Sequence, residues 1–163
     1  MILTPNTDKL IPSEDIVGHN VEDTALLRGM LAEATEYLAQ FEWCPPIRRV
    51  YFGCGLGGVV AVFLFHFSRP IEDTMDEWLW VIIGDLPTAH LVVDQSPDPG
   101  SALVTYCRVM HDWAQAILEG RSPGNVFPVK AAPTKENALA LVSRLEFIKA
   151  KLIPLWRDTY EIP

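Results

Sequence analysis

The sequence predicts an α+β protein: a four-stranded antiparallel β-meander with one helix before it and two after it, the helices packed on one face. Three observations carry this. Apolar residues recur at helical spacing near both ends of the chain. The middle third consists of short runs rich in Val, Ile, Phe and Trp, separated by turn residues. Strands and helices do not alternate, which argues against a parallel sheet with helical crossovers.

Residues 1–19 hold Pro5, Pro12 and Gly18 without a sustained period and read as an irregular N-terminal arm. The first helix is predicted over 21–41. Leu27, Met30, Leu31, Ala34, Leu38 and Phe41 fall on one face, Asn20 supplies a cap, and Pro45-Pro46 prevents continuation. Four strands are predicted at Ile47–Phe52, Val59–Phe67, Trp78–Ile83 and Ala89–Gln95, joined by Gly53–Gly58, Ser68–Glu77 and Gly84–Thr88. Asp98-Pro99 opens a helix over 99–119, with Leu103, Tyr106, Met110, Trp113 and Ile117 as its stripe and Gly120 as its stop. After a loop with an extended piece at Val126–Lys130, the last helix covers 134–153. Its stripe is Ala138, Leu141, Leu145, Ile148 and Leu152, and Pro154 is expected to end it.

A chain of 163 residues and 18.2 kDa accommodates one domain, 1–163, and shows no boundary or repeat. At 49% apolar and 21% charged residues it has a globular composition rather than a disordered one. Met1–Pro12 has no basic stretch followed by an apolar one, so no signal peptide is expected. The most apolar run, Val59–Phe67, is far shorter than the roughly 20 residues of a spanning helix. The cysteines, Cys44, Cys54 and Cys107, are odd in number and lack the C-x-x-C spacing of a zinc or redox motif. Three free thiols in a cytoplasmic protein, with no membrane partner, is the expectation.

In Trp78–Ile83, Leu79, Val81 and Ile83 point one way and Trp78, Trp80 and Ile82 the other. If the turn pairs Ile82 with His90, then His90, Val92 and Asp94 join the tryptophans, and Ala89, Leu91 and Val93 join the aliphatic side. The aliphatic side reads as the core under the helices. The Trp/His/Asp side reads as the mixed face where a ligand or partner would bind.

No motif for catalysis, metal or nucleotide binding is complete. Gly53-Cys54-Gly55-Leu56-Gly57-Gly58 lacks the Lys and Ser/Thr of a phosphate loop and reads as a turn or glycine bulge. His66, His90 and Asp94 would form a minimal metal or acid–base set only if they converged. Tyr51, His66, Trp80, His90 and Asp94 would line a pocket if the chain were an enzyme or small-ligand binder. Cys54 has no base near it in sequence. No cofactor, metal or catalytic residue is expected, and an enzyme is the less favoured class.

Charge is the most informative pattern. The formal net charge is −8 and the pI about 4.9, which argues against nucleic acid as a partner. Residues 48–69 hold Arg48, Arg49 and Arg69 and no acid, whereas residues 70–107 hold seven acids and no Lys or Arg. Four of those acids, Glu72, Asp73, Asp76 and Glu77, fall in one loop, and Asp85, Asp94 and Asp98 follow. Such a region steers a basic protein toward it. With Trp78, Trp80 and His90 as anchors, it makes a candidate partner-binding surface. In size, charge and α+β organisation the chain resembles the immunity proteins of bacterial toxin–immunity pairs. The resemblance implies a non-catalytic domain that neutralises a basic toxin and transfers no residue roles. A structural or adaptor subunit would need only the same kind of surface.

Overall fold

The structure, a computed structural model, describes residues 4–94, 96–123, 129 and 131–160, with the backbone alone for 157–160. It is α+β with an antiparallel sheet. The order is β1 (Ile11–Pro12), α1 (Val21–Ala39), β2 (Ile47–Leu56), β3 (Val60–Phe67), β4 (Trp78–Gly84), β5 (Leu86–Val92), α2 (Pro99–Leu118) and α3 (Lys135–Phe147). A π-turn at Ile148–Leu152 then leads into α4 (Ile153–Tyr160). The expected extended piece at Val126–Lys130 lies outside the described residues, Val129 excepted, and so does Gln95.

The sheet has five strands in the order β1-β2-β3-β4-β5, all antiparallel. The added strand comes from the arm, where Ile11 and Pro12 pair with Phe52 and Tyr51. A strand this short leaves no periodicity to read.

The helices do not share one face. Helix α1 lays Leu27, Met30, Ala34 and Leu38 on Phe63, Phe65, Leu79, Val81 and Ile83. Helices α2 and α3 cover the opposite face, where Val62, Leu64, Trp80 and Ile82 meet Leu103, Tyr106, Met110, Leu141 and Leu145. The reason lies in the central strands. All of β3 except His66 is buried, and so is β4 from Trp78 to Ile83. A strand apolar on both sides needs a cover on both sides. Two cores therefore share one sheet.

The pairing of β4 with β5 is shifted by one residue from the expected register. Ile82 opposes Ala89, and His90 opposes Val81. The turn is tighter than Gly84–Thr88: Gly84 pairs with Leu86, and the Asp85 N–H donates to the Val59 carbonyl at 3.0 Å. A bulge between Leu86 and Ala89 then adds one residue to β5. A one-residue shift exchanges the faces. Ala89, Leu91 and Val93 thus lie on the tryptophan side, while His90 and Val92 lie under α1.

Local signals hold the helices as read. Asn20 accepts the Asp23 N–H at 2.8 Å, and Asp98 and Ser101 form a reciprocal capping box before Pro99. Gly120, at φ +74°, closes the end of α2. Pro154 does not end the last helix. The Ile153 N–H bonds to the Ile148 carbonyl, a wider turn that carries the chain past a residue with no N–H.

Truncating Val81, fully buried between β3 and α1, should cost about 2–4 kcal/mol in urea unfolding. Leu91, only half-buried on the edge strand, should cost about 1 kcal/mol when changed to alanine. Equal costs would mean that β5 packs as deeply as β4. Cys44, Cys54 and Cys107 are all free, so thiol titration in denaturant without reductant should count three.

Candidate functional site

The acidic segment between β3 and β4 is an ordered loop. The Ile71 N–H donates to the Asp76 carbonyl at 2.8 Å, closing its base. The Thr74 N–H and hydroxyl both donate to the Ile71 carbonyl, at 2.9 and 2.7 Å, and the hydroxyl accepts the Asp76 N–H at 3.0 Å. Asp73 takes a left-handed conformation, φ 65°, which aspartate tolerates better than most residues. Glu72 and Asp73 are exposed, Asp76 and Glu77 half-buried, and Met75 is 59% exposed among them. Among the described residues none of these four acids is ion-paired.

The other expected site residues divide. Asp94 is exposed at the end of β5. Asp85 is exposed at the β4–β5 turn and bonds Arg144 at 3.0 Å. Trp80 is fully buried, its indole N–H donating to the Ser96 carbonyl at 2.6 Å, so it cannot meet a partner. Trp78 is 8% exposed, with His66 stacked on it at 3.8 Å and 3° and Tyr51 at 6.3 Å. The anchoring role expected of these tryptophans is corrected: α2 and their neighbours cover both.

His66 and His90 lie on opposite faces of the sheet, so with Asp94 they form no metal or acid–base set. The same separation dissolves the pocket expected from Tyr51, His66, Trp80, His90 and Asp94. Among the described residues no group of three or more His, Cys, Asp or Glu is arranged to hold a metal. Burial, with the Asp98 charge adding to it, holds the Cys54 thiol well above its ordinary pKa, which suits a packed side chain rather than a nucleophile.

The glycine run serves the fold. Gly53 sits at the bulge between Phe52 and Cys54. The Gly57 N–H donates at 2.6 Å to Asp23 Oδ1, so this amide is already engaged. A Cβ on Gly57 would stand 2.6 Å from the Leu26 Cβ.

One cluster was not foreseen. Tyr37, Phe41 and Trp43 surround His90 where α1 ends beside β5. The Tyr37 hydroxyl lies 2.8 Å from His90 Nδ1, Trp43 lies 5.1 Å from the imidazole, and Phe41 stacks on Trp43 at 4.9 Å. All four side chains are half-buried. Their signal in sequence, two aromatics just past a helix end, gains meaning only from the true register of His90. Burial pushes Tyr37 up to about 12 and holds His90 below its ordinary value.

Two adjoining cavities, of about 300 and 290 Å³, flank the Asp85–Arg144 pair between the β4–β5 turn and α3. Neither is lined by a histidine or cysteine. No family model, curated protein or solved structure matches the chain.

His90 predicts a pH effect with a definite sign. Its folded pKa is depressed, so the unfolded chain takes up the proton first as pH falls through about 6.5. Stability should therefore decline from neutral toward acid. The slope of the urea midpoint against pH should be shallower in His90→Phe, which keeps a ring and removes the titration. An unchanged slope would exclude His90 as its source.

Proposed function

We propose that the protein is a non-catalytic binding domain whose target is a basic protein, with a toxin neutralised by an immunity partner as the favoured case. The observation that carries this reading is the β3–β4 loop. It presents Glu72, Asp73, Asp76 and Glu77 around an exposed Met75, internally hydrogen-bonded and with none of the four in a salt bridge among the described residues. An ordered loop loses little conformational freedom on binding. At physiological salt the screening length is about 8 Å, so charges within one loop act together on an approaching cation. With Trp78 and Trp80 buried, the apolar contact falls instead to Met75 and to the aromatic cluster at His90.

The test is association kinetics with the protein encoded beside this one, or with the protein it retains from its native cell. Neutralising Glu72, Asp73, Asp76 and Glu77 together should slow association about tenfold, with Tm nearly unchanged, since exposed charges contribute little to stability. Rising salt should slow the parent protein more than the variant. Salt-independent association, or an unchanged rate in the variant, would remove this loop from the mechanism.

A further inference from the structure

We propose that the outer edge of β5 at His90–Val92 is a docking edge that takes an extended segment of the partner as an added antiparallel strand, with basic residues at that segment's N-terminal end. This rests on the reading of a basic protein partner and names where that partner's chain lies.

The register fixes which backbone groups face outward. β5 is the last strand of the sheet, and among the described residues nothing pairs with its other side. The Phe67 N–H donates to the Glu77 carbonyl at 2.8 Å, so the residues of β4 that alternate with Glu77, namely Leu79, Val81 and Ile83, direct their backbone toward β3. Trp80 and Ile82 then face β5 and bond Leu91 and Ala89. The N–H and C=O of His90 and Val92 consequently point away from the sheet. Edge groups of this kind are a template for another strand.

The edge is guarded at one end and open at the other. Near Asp85 the bulge, Pro87 and the Tyr106 hydroxyl bonded to the Pro87 carbonyl block a ladder. Toward Asp94 the strand reaches Val92 without a bulge or proline, the chain turning only beyond it where the Ser96 N–H donates to the Val93 carbonyl at 3.0 Å, and from Leu86 to Val93 it holds no Lys, Arg, Asp or Glu. The side chains of His90 and Val92 stand on the α1 side, where Tyr37, Phe41 and Trp43 form a half-exposed aromatic shelf beside the open rungs.

Charge selects the occupant. Glu77 directly precedes β4 and Asp94 follows β5 by two residues, at the end where Leu79 pairs with Val92, so the open end of β5 and the acidic loop lie at the same end of the sheet. A strand antiparallel to β5 begins at that end, so its basic residues belong at its N-terminus. A second copy of this chain fits poorly. Each copy carries a formal −8 charge, and self-pairing would bring the guarded Pro87 half of one edge toward the open half of the other.

The experiment follows backbone amide shifts while a short amidated peptide of alternating valine and threonine, with lysines at its N-terminus, is added. The His90 and Val92 amides should move and gain exchange protection. The same peptide with its lysines at the C-terminus, or replaced by glutamates, should bind about tenfold more weakly. Val92→Pro, which removes one outward donor from an edge strand, should abolish the response. Asp94→Lys, which leaves the backbone intact, should weaken it even if the proline variant fails to fold. Unmoved His90 and Val92 amides, equal responses to the lysine and glutamate peptides, or dimerisation through β5 without peptide would overturn the proposal. A loop-neutralised protein that keeps full affinity for its partner while Val92→Pro loses it would sink the loop reading alone. The converse result would sink this one alone.

Discussion

Burial of β3 and β4 on both faces is the constraint from which the rest follows. Val60 to Phe65 and Leu79 to Ile83 are all nearly inaccessible, so neither side of the central sheet can face water. Helix α1 must lie on one side and α2 and α3 on the other. That arrangement leaves no room for a binding surface on the faces of β3 and β4. Polar groups caught inside have to be satisfied there, as the Trp80 indole is by the Ser96 carbonyl. Chemistry directed outward is left to the strand ends, the loops and the sheet edges.

The second organising contact is the Asp23 carboxylate, 8% exposed in the first turn of α1. One oxygen accepts the His19 N–H at 2.8 Å and the other the Gly57 N–H at 2.6 Å. A single side chain thereby ties the N-terminal arm, the first helix and the β2–β3 hairpin together. The glycines around it are steric requirements: a Cβ on Gly18 would fall 2.1 Å from Asp23 Oδ2. Removing the carboxylate would strand two amides, each costing about 1–3 kcal/mol if left without a partner.

Local signals made the helices and main strands legible. Asn20, Asp98-Pro99 and Gly120 mark helix ends by their own backbone chemistry, and β-branched and aromatic runs mark strands. What failed depends on distant contacts. The bulge after Leu86 shifts β5 by one residue, and that shift exchanged the faces of His90 and Leu91. Pro154 would ordinarily end a helix, an effect that the π-turn at Ile148–Leu152 just before it sidesteps. The run Val59–Phe67, apolar but for His66, implies a cover on both sides, whereas the split of tryptophan and aliphatic positions in Trp78–Ile83 implies a core on one face only. The acids of the candidate site were readable because charge is compositional and loop carboxylates stay in water. The burial of Trp78 and Trp80 is not legible locally because it is decided by α2, some 20 residues away in sequence.

At the end of the sheet where β3 turns into β4, charge is divided across the strands. Arg48 and Arg49 open β2, and Arg69 follows β3. Beyond them stand the acids of the loop, and then Asp94 after β5. Part of the basic side is already engaged, since Arg49 meets Glu14 at 3.5 Å and lies 5.3 Å over the Tyr51 ring. The loop acids and Asp94 form no salt bridge among the described residues. On the proposed reading, a basic partner is drawn toward the acidic loop and Asp94 at the β4–β5 margin, which orients it before contact. The steering charges are long-ranged and non-specific, whereas the backbone groups of His90 and Val92 are short-ranged and directional. Under the two proposals they divide the work of recognition: the loop would govern how fast a partner arrives, and the strand edge how long it stays.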